Sequence, residues 1–179
     1  MTTIGVNYGQ ALYSLATEEG QASQILNQLQ VLQESFSKEP DFLRLLSAAN
    51  ISKTERCKVL DDSFRDQVHP YVLNFLKLLT QKGHIRQFDS CVNAYRQQYY
   101  IDHDILEVLA VSAVELTQAQ QQRLREKLAG ITGKSIVLNC RVDKDCLGGM
   151  RLDYDGKRVD GTVKNRLEDI SKMLKNTVL

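Results

Sequence analysis

The spacing of apolar residues changes near residue 105, and this change limits the folds that the chain can adopt. Before residue 105, apolar residues recur every three or four positions, which is the period of an amphipathic helix. After it, apolar and polar residues alternate in several runs, which is the period of a half-buried strand. The pattern predicts a mainly α fold: residues 1–104 form an N-terminal six-helix bundle, and residues 105–179 form a small α/β domain with a short sheet and a C-terminal helix.

The first 104 residues contain several signals that begin or end helices. Pro40 and Pro70 suit the first turn of the third and fifth helices, where no backbone N–H is needed. Ser52 begins a capping box and predicts the start of the fourth helix. Gly83 tolerates a left-handed backbone and is expected to end the fifth helix. The spacing on the first helix predicts a buried stripe that consists of Tyr8, Ala11, Leu12, Leu15 and Ala16.

The remaining residues are predicted to alternate between strands and helices. A strand is expected at residues 105–114, and a capping box at Thr117 predicts the helix that follows. Asp155 and Gly156 are a two-residue turn signal and predict a hairpin. The expected buried positions are Leu124, Leu128 and Ile131 on the helix, Ile136, Leu138, Cys140 and Val142 on a strand, and Val163, Leu167, Ile170 and Leu174 on the last helix.

The composition excludes several classes of protein. The 179 residues include 23 Lys+Arg and 22 Asp+Glu, whereas a dedicated nucleic-acid binder normally has a basic excess. We therefore expect no nucleic-acid partner. No apolar run approaches the length of about 20 residues that spans a bilayer, and the N-terminus does not resemble a secretory or import leader. We therefore expect no direct insertion into a membrane.

The four cysteines do not form a CxxC pair and are expected to be free thiols in or near the core. A disulfide between Cys140 and Cys146 is the alternative. No histidine lies near them in the sequence, and the three histidines do not have the HExxH spacing of a zinc site. We therefore expect no metal site and no cofactor.

No combination of nucleophile, general base and oxyanion site can be recognised, so no catalytic residue is expected and the chain is not predicted to be an enzyme. Gly133-Lys134-Ser135 resembles the end of a phosphate-binding loop. However, Leu128 stands where that loop needs its first glycine, and the segment leads from a helix to a strand instead of the reverse. A small nucleotide-binding enzyme or regulator that uses this segment remains an alternative. An unrelated helical adaptor is a third possibility.

Three segments resemble a known family in order and spacing. Residues 7–16 read NYGQALYSLA, and residues 74–83 read NFLKLLTQKG. Residues 147–152 read LGGMRL and are followed by DGTV at residues 160–163 and by Arg166-Leu167. These segments are similar to the first helix, the fifth helix and the C-terminal signature of the delta subunit of the F-type ATP synthase, a family that includes the mitochondrial oligomycin-sensitivity-conferring protein. Gly9 departs from the pattern, because the family usually has alanine there.

The resemblance implies a stator subunit that links the catalytic head to the membrane-anchored b subunits and resists rotor torque during proton-driven ATP synthesis. In this family, the N-terminal bundle binds the N-terminal helix of an alpha subunit in a groove between the first and fifth helices. Six residues on the apolar stripes of these helices are candidates to line that groove: Tyr8, Leu12, Leu15, Val72, Leu76 and Leu79. The alternative is that these side chains only fill the core of the bundle.

The resemblance also implies that the C-terminal domain engages the b subunits of the peripheral stalk. The last helix concentrates four basic residues that could dock an acidic partner: Lys164, Arg166, Lys172 and Lys175. A solvated helix face is the alternative explanation. The protein is expected once per complex, as a peripheral protein on the cytoplasmic face of a bacterial membrane.

The C-terminal signature residues are expected to have structural roles. Gly148 and Gly149 suit a bulge or a close approach between strands, and Asp160 and Thr162 suit a helix cap. Gly161 lies between those two residues as part of the same motif.

Overall fold

The computed structural model describes residues 3–165 and residue 167. These residues belong to two compact units, Met1–Tyr99 and Tyr100–Leu179, and each unit is described by itself. The predicted fold class is confirmed: the chain is mainly α, with six helices before a small α/β part.

The first unit is built from α-helices that short connections join. These helices are α1 (Thr3–Glu18), α2 (Ala22–Lys38), α3 (Pro40–Leu46), α4 (Lys53–Phe64), α5 (Pro70–Lys82) and α6 (Phe88–Asp102). A single 3-10 turn at Ile85–Gln87 precedes α6. The division between the two units falls within the last turn of α6.

The predicted helix ends are present. The Ser52 hydroxyl accepts a hydrogen bond from the Glu55 N–H at 3.2 Å, and the Glu55 carboxylate accepts one from the Ser52 N–H at 3.1 Å. Hydrogen bonds from Ser52 lower the pKa of Glu55. Gly83 ends α5 with a φ of 74°, a conformation that glycine adopts without strain.

The core of the first unit is formed by large side chains that are fully buried. They include Ile25, Leu29, Leu46, Leu60, Val72, Leu76, Leu79, Ile85, Phe88, Val92 and Tyr95. The Tyr95 hydroxyl donates a hydrogen bond of 2.9 Å to the Ala22 carbonyl, so its polar end is satisfied inside the core. Burial raises the pKa of Tyr95.

Helix α1 approaches α6 so closely that Gly9 lies against its backbone. A Cβ atom at Gly9 would collide with the Cys91 carbonyl oxygen and would lie 2.8 Å from the Ala94 Cβ. This contact turns one side of α1 toward the core: Gly5, Gly9, Leu12, Tyr13 and Ala16 are buried. The predicted stripe is therefore corrected, because Ala11 and Leu15 are exposed and Tyr8 is only half-buried.

The second unit is a four-stranded sheet with one crossover helix. Its elements are β1 (Ile105–Ser112), α7 (Gln118–Thr132), β2 (Ser135–Val142), β3 (Met150–Tyr154) and β4 (Lys157–Asp160). The strand order is β2-β1-β3-β4. Strand β1 is parallel to β2 and antiparallel to β3, and β3 is antiparallel to β4. Leu106, Val108 and Ile136 form a small core to which α7 contributes Leu128 and Ala129.

The predicted β3–β4 hairpin turns at Asp155 and Gly156. Both residues have positive φ angles, 46° and 69°, as a tight two-residue hairpin of this kind requires. The capping box that begins α7 is also present, because Thr117 and Gln120 exchange the expected hydrogen bonds. The local turn and cap signals of this unit are therefore confirmed.

Several predicted burial positions in the second unit are wrong. Ile131 is 83% exposed, and α7 contains no fully buried residue, because α7 packs on the sheet through Leu128 and Ala129, which are themselves only half-buried. Cys140 and Val142 are exposed near the end of the edge strand β2. Val163 and Leu167 are also exposed. The predicted positions Ile170 and Leu174 lie outside the described residues.

The four cysteines are free thiols, with no disulfide between Cys140 and Cys146. Cys91 and Cys146 are buried, and Cys57 is half-buried. Burial raises the pKa of the Cys91 thiol to about 11. The expectation that the thiols lie in or near the core is wrong for Cys140, which is exposed.

We expect Gly9→Ala to destabilise the first unit, because the added Cβ has to push α1 away from the α6 backbone. The expected loss is about 1 to 3 kcal/mol in the free energy of unfolding, measured by urea denaturation. Gly130→Ala is the matched control, since Gly130 lies in α7 with open space around its Cα. Gly130→Ala should raise the free energy of unfolding by up to about 1 kcal/mol. Equal effects of the two substitutions would contradict the close contact at Gly9.

Candidate functional site

The first unit has an apolar groove between α1 and α5. Helix α1 contributes Tyr8, Ala11, Leu12 and Leu15, and helix α5 contributes Tyr71, Asn74, Phe75 and Leu78. The cavity measures about 390 Å³. No lining residue carries a formal charge, so an apolar partner could enter the groove without removing a charged group from water.

The groove has a buried floor and accessible walls. Leu12 and Phe75 are 6% and 5% exposed and form the floor, whereas Leu15 and Leu78 are each 39% exposed. Leu15 lies three residues after Leu12, and Leu78 lies three residues after Phe75, so each helix presents one buried and one accessible apolar side chain one turn apart. The groove is therefore continuous with the hydrophobic core.

Aromatic contacts hold the rim residues of the groove in place. The Tyr8 ring lies 6.2 Å from the ring of His84, which follows the glycine that ends α5. The Tyr71 ring lies 4.9 Å from the ring of His69, whose Nδ1 accepts a hydrogen bond of 3.3 Å from the Tyr71 N–H. Desolvation and the nearby Glu19 carboxylate raise the pKa of Tyr71. Both tyrosines are thus positioned by contacts at the ends of α5.

The structure separates the six residues that the sequence suggested for this groove. Tyr8, Leu12 and Leu15 line it. Val72, Leu76 and Leu79 do not, because all three are 0% exposed in the core of the bundle. Helix α5 is apolar over most of its circumference, so its sequence contains two apolar stripes, and the more regular one is the core stripe. The α5 residues that sequence reasoning missed are Tyr71, Asn74, Phe75 and Leu78.

The C-terminal signature forms a tight connection between β3, β4 and the residues that follow. A Cβ at Gly149 would lie 2.5 Å from the Gly161 carbonyl oxygen, so this position requires glycine. The Gly161 N–H donates to the Met150 carbonyl, and the Val163 N–H donates to the Gly148 carbonyl, both at 3.0 Å. These contacts explain the predicted structural role of the two glycines.

Asp160 and Thr162 form the cap of the helical turn that starts at residue 163. The Asp160 carboxylate accepts hydrogen bonds from the Thr162 N–H at 2.9 Å and from the Thr162 hydroxyl at 2.7 Å. The Thr162 hydroxyl accepts one from the Asn165 N–H at 3.2 Å. The bonds from Thr162 lower the pKa of Asp160.

Of the four basic residues suggested for stalk binding, only Lys164 lies within the described residues. Lys164 is exposed beside Asp160 and Thr162, at a small polar cavity of about 230 Å³. Arg166, Lys172 and Lys175 lie outside the described residues.

The segment Gly133-Lys134-Ser135 is a helix end and does not form a phosphate-binding loop. Gly133 has a φ of 69° and donates its N–H to the Ala129 carbonyl at 2.8 Å, and β2 begins at Ser135. Within residues 3–165 and 167, no group of His, Cys, Asp or Glu side chains could hold a metal ion. In the same part of the chain, no helix is both long and apolar enough to cross a membrane.

We expect Leu76→Ala and Leu78→Ala to separate the core of α5 from its groove wall. Leu76→Ala should lower the free energy of unfolding by about 2 to 5 kcal/mol, because it leaves a cavity in the core. Leu78→Ala should cost about 1 kcal/mol or less, since its side chain is already partly in water. Urea denaturation measures both, and a larger loss for Leu78→Ala would contradict the placement of the groove.

The Asp153 carboxylate should make stability depend on pH in the acid range. It accepts hydrogen bonds from Arg158 at 2.8 Å and Arg151 at 3.2 Å, and the first of these contributes most to lowering its pKa. A lowered pKa stabilises the fold above the pKa of the unfolded chain, about 3.9, and this stabilisation disappears as the pH falls through the folded pKa. Asp153→Asn should therefore be less stable than wild type at pH 7 and equally stable near pH 2. An undiminished difference at low pH would contradict the ion pair.

The comparisons with known proteins match the chain to one family along almost its whole length. A family model described as ATP synthase delta (OSCP) subunit matches residues 4–174. The chain is 31% identical over 175 residues to ATP synthase subunit delta of Alkaliphilus oremlandii, covering 96% of this chain and 97% of that protein. It is 32% identical over 168 residues to ATP synthase subunit delta of Moorella thermoacetica, covering 94% of each.

The fold is also similar to that of a solved structure. A chain in the cryo-EM structure of the Toxoplasma gondii mitochondrial ATP synthase hexamer matches with a TM-score of 0.76. The match covers 97% of this chain and 98% of that chain at 17% identity. On the family match and the bacterial relatives together, the chain belongs to the ATP synthase delta (OSCP) subunit family, a family of peripheral-stalk subunits of the F-type ATP synthase.

Proposed function

We propose that this chain is the non-catalytic connector that ties the catalytic head of the ATP synthase to its stalk. Residues 1–104 bind the N-terminal helix of an alpha subunit, and residues 105–179 bind the b subunits. Its role is mechanical, because it holds the head against the torque of the rotor. The observation that carries the proposal is the uncharged apolar groove between α1 and α5.

The groove suits an amphipathic helix as its partner. Such a helix places apolar anchors at positions i, i+3 or i+4, and i+7 into a hydrophobic cleft. Leu15 and Leu78 provide accessible apolar walls, and Leu12 and Phe75 close the floor. Tyr8 and Tyr71 add amphipathic rims that contact an apolar partner while their hydroxyls stay near water.

The position of the protein in the cell follows from this role. We place one copy of the chain in each complex, on the cytoplasmic face of a bacterial membrane, held there through its partners. The bacterial origin of the two relatives described above supports the bacterial assignment. The nucleotide-binding alternative is not favoured, because the N–H of Gly133 is used inside α7.

Calorimetric titration with a peptide of the alpha subunit's N-terminal helix, from the same organism, tests the groove. Wild type should bind one peptide per chain. Leu15→Asp and Leu78→Asp should each weaken binding about tenfold or more, because a carboxylate in the apolar wall loses its water when the peptide binds.

Leu45→Asp provides the matched control. Leu45 is 38% exposed on α3, close to the 39% of Leu15 and Leu78, but it lines a different cleft with Phe36, Phe42 and Phe64. The affinity of the Leu45→Asp variant for the peptide should stay near the wild-type value. Loss of binding in this variant alone, or normal binding in both groove variants, would contradict the assignment of the groove.

A further inference from the structure

The first turn of α5 depends on the side chain of His69 for one of its hydrogen bonds. Pro70 has no N–H, and the N–H groups of Val72 and Leu73 donate to the His69 carbonyl at 2.9 and 3.1 Å. The Tyr71 N–H instead donates to the His69 Nδ1 at 3.3 Å. The imidazole is therefore the N-cap of α5 and satisfies an amide hydrogen for which the helix has no carbonyl.

The same imidazole contacts a rim residue of the groove. The ring of His69 lies 4.9 Å from the ring of Tyr71, and Tyr71 lines the groove between α1 and α5. The His69 N–H donates a hydrogen bond of 2.8 Å to the side-chain carbonyl of Gln28 on α2. Because α2 fixes the backbone of His69, the imidazole can hold Tyr71 and the first turn of α5 in one position.

This cap requires a neutral imidazole. A neutral ring with its proton on Nε2 presents Nδ1 as an acceptor, whereas both nitrogens of an imidazolium are donors. In the charged form, the Nδ1–H of His69 and the Tyr71 N–H would face each other as two donors. The positive charge would also lie at a helix N-terminus, where the helix dipole disfavours cations. Protonation of His69 therefore removes the cap for two independent reasons.

The acidic groups near His69 do not replace the lost bond. The Glu19 carboxylate, just after α1, interacts with the Tyr71 hydroxyl, at the far end of that side chain from the Tyr71 N–H. Glu18 at the end of α1 and Asp66 in the connection to α5 are exposed, and water and salt screen their attraction for an imidazolium.

The other charged groups on the neighbouring elements are also accounted for. Arg65 is exposed and lies 3.7 Å from the Asp61 carboxylate, with which it pairs. Helix α2 contacts His69 through the neutral Gln28, and the charged residues of α2 begin at Glu34, six residues further along the helix.

We propose that His69 is a positioning residue of the groove, whose neutral imidazole holds Tyr71 and the first turn of α5 in place for the partner helix. Protonation of His69 releases this turn and weakens binding of the helix. The inference rests on the proposed function and makes the affinity of the groove depend on pH. Histidine ordinarily changes its charge between pH 5 and pH 8, so the effect is measured across this range.

His84 provides an internal control at the other end of the groove. Its ring lies 6.2 Å from the ring of Tyr8, so it also contacts a rim tyrosine. It follows Gly83 at the C-terminal end of α5, and its N–H donates to the Leu79 carbonyl at 2.8 Å. A helix C-terminus favours a cation, so protonation of His84 should leave α5 intact.

Calorimetric titration with the alpha-subunit peptide at pH 8 and pH 5 tests the cap. The wild type should bind about fivefold more weakly at pH 5, which is the size expected for the loss of one N-cap. His69→Asn retains a capping oxygen that does not titrate, so it should bind as the wild type does at pH 8 and lose this pH dependence. His69→Ala should already bind about fivefold more weakly than the wild type at pH 8.

The comparison between variants separates His69 from other titrating groups, because the peptide is the same in every titration. His84→Asn should keep the wild-type ratio between the two affinities. Equal ratios for the wild type and His69→Asn would overturn the inference and leave the groove assignment intact. Weak binding by His69→Asn at pH 8 would also overturn it, since a good cap would then not replace the imidazole. Failure of the wild type to bind at pH 8 would contradict the proposed function itself.

The free chain provides a measurement that does not depend on the partner. In NMR spectra of the wild type, the amide signal of Tyr71 should shift between pH 8 and pH 5, because its acceptor is lost. In His69→Asn the same signal should stay nearly constant. A Tyr71 signal that responds equally to pH in both proteins would overturn the inference, and the melting temperature of each variant verifies that it is folded.

Discussion

The contact between the backbones of α1 and α6 at Gly9 determines how the first unit presents its surface. Because no side chain separates the two helices there, α1 is held in one rotation about its axis. In that rotation Tyr13 and Ala16 enter the core, and Ala11 and Leu15 face outward. The wall that α1 contributes to the groove is a consequence of this packing. A larger residue at position 9 would move the wall away from α5.

Helix α5 packs into the core on one side and lines the groove on another, and its sequence does not distinguish the two sides. Val72, Leu76 and Leu79 fill the core, and Phe75 and Leu78 face the groove. Both sets have helical spacing, and each contains leucine. Only the positions of the neighbouring helices decide which set is enclosed. Because of this ambiguity, the sequence pattern suggested the core residues Val72, Leu76 and Leu79 for the groove, whereas Tyr71, Asn74, Phe75 and Leu78 line it.

The second unit is a small α/β layer whose strand ends are held by tight local contacts. Among the described residues, Leu106, Val108 and Ile136 form its central cluster, with half-buried side chains around them. One crossover helix covers part of one face. The Gly149–Gly161 contact and the Asp160–Thr162 cap hold the ends of β3 and β4 in place. The hairpin ends therefore have a defined position.

The sequence by itself determined the order and type of the elements, because local chemistry controls them. Proline at the first turn of α3 and α5, the capping box at Ser52, Gly83 in a left-handed conformation and the Asp155-Gly156 turn act within a few residues. The tertiary structure alone decided which apolar residues stay accessible. Burial of Val72 and exposure of Leu78 or Ile131 depend on what packs against each helix face, and that packing joins residues far apart in the chain.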